Sequence, residues 1–287
     1  VIKSVQSRVW AFDMEWIPDP LAGRLLYDLP EAVSEPAEIM QAMWQAGGAT
    51  SENPTPFLKT VLCRIVSIAA LERRVLPNGQ VALNLMSLPH NIDDPEETRE
   101  SQVVGKFLDA LGEHRPQLVG FNSIQSDLKI LIQRGVILGL RAEDFCRRPE
   151  KPWEGIDYFA RGSEWNVDLK DVLGGWGMVV PSLHQLAVQS GIPGKMDVDG
   201  NQVAQLWLEG ELRRIVQYNE FDAITTYLLW LRLAHFAGHF TNDGYVAEQQ
   251  RVRDLLERER KQATRTHLEL YLEEWDRLRK VTASERA

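Results

Sequence analysis

Apolar and polar residues first come in strand-length runs, and only later settle into helical spacing. Val9 to Phe12 is an apolar run that passes directly into Asp13 and Glu15, which predicts a buried strand ending in carboxylates. Val61 to Leu71 predicts a second strand. After the turn at Pro77-Asn78-Gly79, Val81, Leu83 and Leu85 alternate with their neighbours as a third. Val104, Phe107, Leu108 and Leu111 recur at helical spacing from about Ser101, ending near Gly112 with Pro116 beyond. Gln117 to Asn122 is a short fourth strand. The helix after it carries Leu128, Leu131, Ile132 and Val136, and Val167 to Leu169 is a brief fifth strand. Ser182 to Gln189 predicts a short helix with Ser182 as N-cap. Further helices follow over Val203 to Leu208 and Leu212 to about Phe236, with one or two amphipathic helices from Tyr245 to Lys280. This order predicts an α/β fold, a five-stranded mixed sheet with helices on both sides.

Ile17-Pro18-Asp19-Pro20 is expected to stop the first strand, and residues 19–57 read as an insertion holding one short helix, Pro36 to Gln45. The insertion is either a lid or substrate wall, or a surface decoration. Residues 1–240 would form the main domain and 241–287 a C-terminal helical extension. In that extension Arg251, Arg253, Arg258, Arg260 and Lys261 interleave with acids, as a solvated face or as a nucleic-acid track.

Over 287 residues the net charge is −9, which argues against a protein that coats DNA without regard to sequence. It leaves room for an enzyme that grips a few nucleotides. The two cysteines, Cys63 and Cys146, are far apart and predict neither a zinc site nor a disulfide scaffold. No apolar run approaches the ~18 residues of a membrane span. Residues Val1 to Arg8 lack the apolar region of a signal peptide, so the expected setting is the cytoplasm.

Carboxylates stand at three places. Asp13 and Glu15 are one residue apart in a strand and so share a face. Asn122 and Asp127 flank a strand-to-helix junction. Tyr218 and Asp222 are four apart, on one face of a helix. Like charges on one face resist burial unless a cation lies between them. Mg²⁺ or Mn²⁺ suits such oxygen ligands, and two ions ~3.5–4 Å apart serve phosphodiester hydrolysis. Asp13 would bridge the two ions, Glu15 and Asp222 would complete one, and Asp127 would hold the other. Tyr218 would orient the attacking water.

This ordered set, Asp13-x-Glu15, Asn122 with Asp127, and Tyr218-x-x-x-Asp222, resembles the DEDD superfamily of 3′–5′ exonucleases in its tyrosine-containing form. The stretch from Gly194 to Gly200 followed by Tyr218 to Asp222 makes it similar to stand-alone relatives of the proofreading domain of family-B DNA polymerases. The resemblance implies a ribonuclease-H-like sheet, divalent metal ions, and removal of nucleotides from a 3′ end, with single-stranded or frayed DNA as the leading substrate. It also implies that Glu15 and the Met14 backbone lie near the terminal 3′ hydroxyl and Asn122 near the terminal nucleotides. The residue before the second aspartate, often aromatic in such enzymes, is Ser126 here. Two other readings remain open: an exoribonuclease using the same acids, and a catalytically inactive scaffold that binds nucleic acid.

Other signals read as structural. Asp168 and Asp171 suit a cap or turn, and Asp197-x-Asp199-Gly200 lacks the rest of a calcium loop. His235 and His239 lack the glutamate of a zinc-protease helix, and His184 reads as a partly buried helix residue. Gly174 to Gly177 is a loop without the Lys-Ser or Lys-Thr of a phosphate-binding turn. Candidate nucleic-acid contacts are Lys129, Arg147, Arg148, Lys151, Arg161, Lys170 and Lys195, with Trp16, Phe121 and Trp176 able to stack on bases.

Overall fold

The computed structural model describes residues 2–151, 153–174, 179–196 and 200–286. The strands are β1 (Arg8–Pro18), β2 (Cys63–Val75), β3 (Val81–Leu88), β4 (Gln117–Gly120) and β5 (Asn166–Asp168). They form one five-stranded sheet in the order β3-β2-β1-β4-β5. The first three strands run antiparallel as a meander, and β4 and β5 add parallel to β1. Together with the flanking helices this is a ribonuclease-H-like fold, with β1 in the middle of the sheet.

The helices are α1 (Pro20–Leu26), α2 (Pro36–Ala46), α3 (Glu100–His114), α4 (Asp127–Ile137), α5 (Glu143–Cys146), α6 (Leu169–Gly174), α7 (Leu183–Gln189), α8 (Val203–Leu208), α9 (Leu212–Phe236), α10 (Asn242–Glu259) and α11 (Leu268–Arg286). Alternation along β1 divides them between the two faces. Trp10, Phe12 and Met14 pack with Phe107 and Leu108 of α3, Leu128 and Leu131 of α4, and Phe145 of α5. Val9 and Ala11 pack with Ile224 and Leu228 of α9, Leu255 of α10, and Tyr271 and Trp275 of α11. α9 is therefore apolar around most of its circumference and lies between the sheet and the two C-terminal helices.

Segment 19–57 contains one more helix than its pattern predicts. Pro20, read above as a strand stop, occupies the first turn of α1, and the Asp19 side chain accepts from the Leu21 amide at 3.1 Å. Proline tolerates the first helical turn because that N–H has no helical partner in any case. α2 places Met40 and Trp44 against Ile17, Val66, Ile215 and Tyr218. The loop residues 175–177, Trp176 included, and the turn at Asp197 and Asp199 lie outside the described residues.

Candidate active site

β1 aims Asp13 and Glu15 at the face covered by α9, continuing the alternation of Val9 and Ala11. The register of β1 against β2 shifts directly after Glu15, so the bulge lies at the end of the acidic pair. From above, α9 brings Tyr218, Asn219 and Asp222, which share one side of the helix at spacings of one, three and four. Carboxylate oxygens of Asp13, Glu15 and Asp222 lie within 4.8 Å of one another. The Tyr218 hydroxyl lies beside the Asp222 carboxylate, one helical turn away.

Asp127 enters from the start of α4. Its Oδ1 accepts from the Met14 backbone N–H at 3.1 Å, and its Oδ2 from the Ser126 hydroxyl at 2.8 Å. Ser126 thus stands against the carboxylate; its Oγ is also 2.6 Å from the Asn122 carbonyl, so its one proton is shared between the two acceptors. The Met14 side chain is buried on the opposite face of the sheet.

These acids crowd one another in a desolvated place. Burial holds the Asp13 carboxyl well above the usual range, and Asp127, Asp222 and Glu15 add to the effect. Glu15 is raised likewise by burial, then by Asp222 and Asp127, with the Lys195 cation opposing. Burial pushes Asp127 up to about 6. Tyr218 is raised by burial and by the same carboxylates, so its hydroxyl keeps its proton. Oxygen donors that repel one another when ionised are a fit for a hard divalent cation, which would offset the repulsion.

A cleft of about 360 Å³ opens on this cluster, lined by Asp13 and Asp222 together with Phe121, Asn122, Lys170 and Ser182 to Leu183. Asn122 has a left-handed backbone (φ 66°), a conformation asparagine tolerates better than most residues. Its backbone N–H and that of Ile124 donate to the Asp168 carboxylate at 2.8 and 3.0 Å. Asp168 is thus the turn-holding residue expected, with a third bond from the Lys170 amide. The Asn122 side chain accepts from Lys170 Nζ at 3.0 Å and donates to Ser126 Oγ at 3.3 Å.

Of the candidate basic contacts, Lys170 and Lys195 stand near the acids. Arg147, Arg148 and Lys151 pair instead with Glu143, Asp157 and Glu154. Lys195 is carried by a strap that α7 and α9 hold: its amide donates to His184 Nδ1 at 3.0 Å, and Thr225 Oγ1 donates to the Pro193 carbonyl at 3.0 Å. Gly194 lets the strap approach, since a Cβ there would lie 2.3 Å from His184 Nδ1. His184 is exposed rather than partly buried. His235 is structural: its Nδ1 bonds the Phe240 carbonyl at 2.9 Å and its ring stacks on Tyr245.

Two residues of the cluster escape the sequence reading. Asn219 donates to Asp13 Oδ2 at 2.8 Å and accepts from the Ser67 hydroxyl at 3.0 Å. Both left a signal. Asparagine is a poor residue for a helix interior, and serine is polar in an apolar strand, so each needed a tertiary partner. A larger hollow of about 600 Å³ runs along β3 beside Arg265 and Arg213, with Asp13, Glu15 and Asp222 absent from its lining.

In comparisons with known proteins, the family described as "Predicted 3′-5′ exonuclease related to the exonuclease domain of PolB" matches residues 55–275. The matched segment contains Asp127, Tyr218 and Asp222; Asp13 and Glu15 precede it. Comparison with curated protein sequences gave no match.

Proposed function

Because the chain belongs to the family of predicted 3′–5′ exonucleases related to the exonuclease domain of PolB, we propose that its acidic cluster hydrolyses phosphodiester bonds from the 3′ end of DNA, single-stranded or frayed. The observation that carries this reading is the convergence of Asp13, Glu15 and Asp222 oxygens within 4.8 Å, with Asp127 and Tyr218 beside them. Asp13, Glu15 and Asp222 would hold one Mg²⁺ or Mn²⁺, and Asp127 with Asp13 a second. When bound, the cations make water nucleophilic near neutral pH and neutralise charge on the leaving oxygen. The Tyr218 O–H, kept protonated, orients the attacking water. Asn122 and the Met14 backbone flank the terminal nucleotide, and Lys170 and Lys195 attract phosphates. In this reading residues 1–240 carry the reaction and 241–287 brace α9. A cytoplasmic setting suits the two free thiols, Cys63 and Cys146, and no helix among the described residues is long and apolar enough to cross a membrane.

The test is a time course on a 5′-labelled single-stranded DNA and its RNA twin, with Mg²⁺, Mn²⁺ or EDTA. The expected result is a DNA ladder shortening from the 3′ end, lost in EDTA and abolished by Asp13→Ala. A faster RNA ladder would move the substrate to RNA. Full activity of Asp13→Ala would sink the mechanism.

A further inference from the structure

Asn219 is fully buried, 0% exposed, and so is Ser67. Ser67 lies on β2 directly opposite Glu15 of β1. Cross-strand partners share a face, so its hydroxyl points toward the acids. The Ser67 hydroxyl donates to Asn219 Oδ1 at 3.0 Å, and Asn219 Nδ2 donates to Asp13 Oδ2 at 2.8 Å. One line of bonds therefore runs from β2 through α9 to β1. With Asp13 ionised, as a cation ligand must be, its polarity is fixed, because a flipped amide would set its carbonyl oxygen against the Asp13 carboxylate. Asp222 sits three residues after Asn219 on the same helix. The amide thus ties the helix bearing one carboxylate to the strand bearing two.

We propose that Asn219, held by Ser67, is a positioning residue for Asp13. It fixes the rotamer of the Asp13 carboxylate and the spacing of α9 from β1, so that Asp13, Glu15 and Asp222 converge on a divalent cation. The inference rests on the exonuclease reading and adds to it what sets the affinity of the cation site. A purely structural role for Asn219 would lower stability and leave cation affinity in the folded protein unchanged. A positioning role moves the affinity itself, as partners of ligating carboxylates do elsewhere.

The experiment is a Mn²⁺ titration of the full chain, followed by electron paramagnetic resonance of free Mn²⁺, well below each variant's thermal midpoint in EDTA. Asn219→Leu keeps the approximate shape and removes the amide; it should weaken Mn²⁺ binding roughly 10–100-fold. Ser67→Ala should weaken it less, and the double variant should bind no worse than Asn219→Leu alone, since Ser67 acts only through Asn219. At saturating Mn²⁺ the KM for a single-stranded oligonucleotide should stay at the wild-type value. Wild-type Mn²⁺ affinity in folded Asn219→Leu would overturn the inference while leaving the exonuclease standing. If Asn219→Leu does not fold, unchanged affinity in Ser67→Ala overturns it instead. A wild-type chain that binds no Mn²⁺ would overturn both.

Discussion

The Tyr218 hydroxyl meets Asp222 one turn away on α9, and burial among carboxylates keeps it protonated. It is therefore a donor whose loss leaves every carboxylate in place. Tyr218→Phe should slow hydrolysis about 10²-fold in kcat, on the scale of one positioned proton-handling group. Asp13→Ala should abolish turnover. Single-turnover assays at saturating Mn²⁺ separate the two, and an unchanged rate in Tyr218→Phe would reduce that residue to packing.

At the scale of elements, α4 is seated by an arginine as well as by its apolar stripe. Arg134 Nε and Nη2 donate to Glu100 of α3 at 2.7 and 2.5 Å, and its Nη1 lies 3.0 Å from Asp19, the N-cap of α1. Glu100 also accepts from the Ile65 backbone N–H of β2 at 2.8 Å. One buried cation thus joins α1, α3, α4 and β2, and α4 begins with Asp127. Arg134→Met would leave two buried carboxylates without their cation. We expect a loss of about 3–5 kcal/mol, read as a lower urea midpoint at neutral pH; a midpoint within error of wild type would deny the network that role. On α9, Glu220 faces away from the active site. It accepts from Ser87 and meets His267 and Arg265 of the turn between α10 and α11. The helix that holds Tyr218 and Asp222 is thereby fastened on both sides.

For the whole molecule, the acids set a pH dependence. Asp127 is pushed up to about 6, and Asp13 and Glu15 stand well above the usual range. Raised carboxyls bind protons more tightly folded than unfolded. Their contribution to stability is full below the unfolded value of about 4 and is lost as pH rises through the folded values. In EDTA the thermal midpoint should therefore fall as pH rises from about 4 through about 6, and Asp127→Asn should flatten part of that fall. Mn²⁺ should restore the midpoint at the higher pH, where the carboxylates are ionised and need it most. A midpoint that stays flat in EDTA, or that Mn²⁺ fails to raise, would argue against crowded acids. The charged residues of α10, α11 and the turn between them contribute pairs such as Arg260 with Glu269, and Arg253 with Asp276.

Much of this was legible from order and spacing. The alternation Val9 to Glu15 set the central strand and which face its acids share, because side chains on a strand alternate whatever surrounds them. The four-residue spacing of Tyr218 and Asp222 put both on one side of a helix for the same local reason. The five-stranded mixed sheet followed from the sequence of strands and helices, but the place of β4 and β5 beside β1 came only from the fold. What local pattern did not carry is any contact whose partners are remote in the chain. Asn219 reaches Asp13 across 206 positions and Ser67 across 152. Lys195 and Lys170 differ from Arg147 and Lys151 only in where the fold delivers them, at the acids or beside a neighbouring glutamate. Such choices rest on which elements pack together, and packing is decided by the burial of whole faces, of which a single residue's neighbours in the chain hold no record.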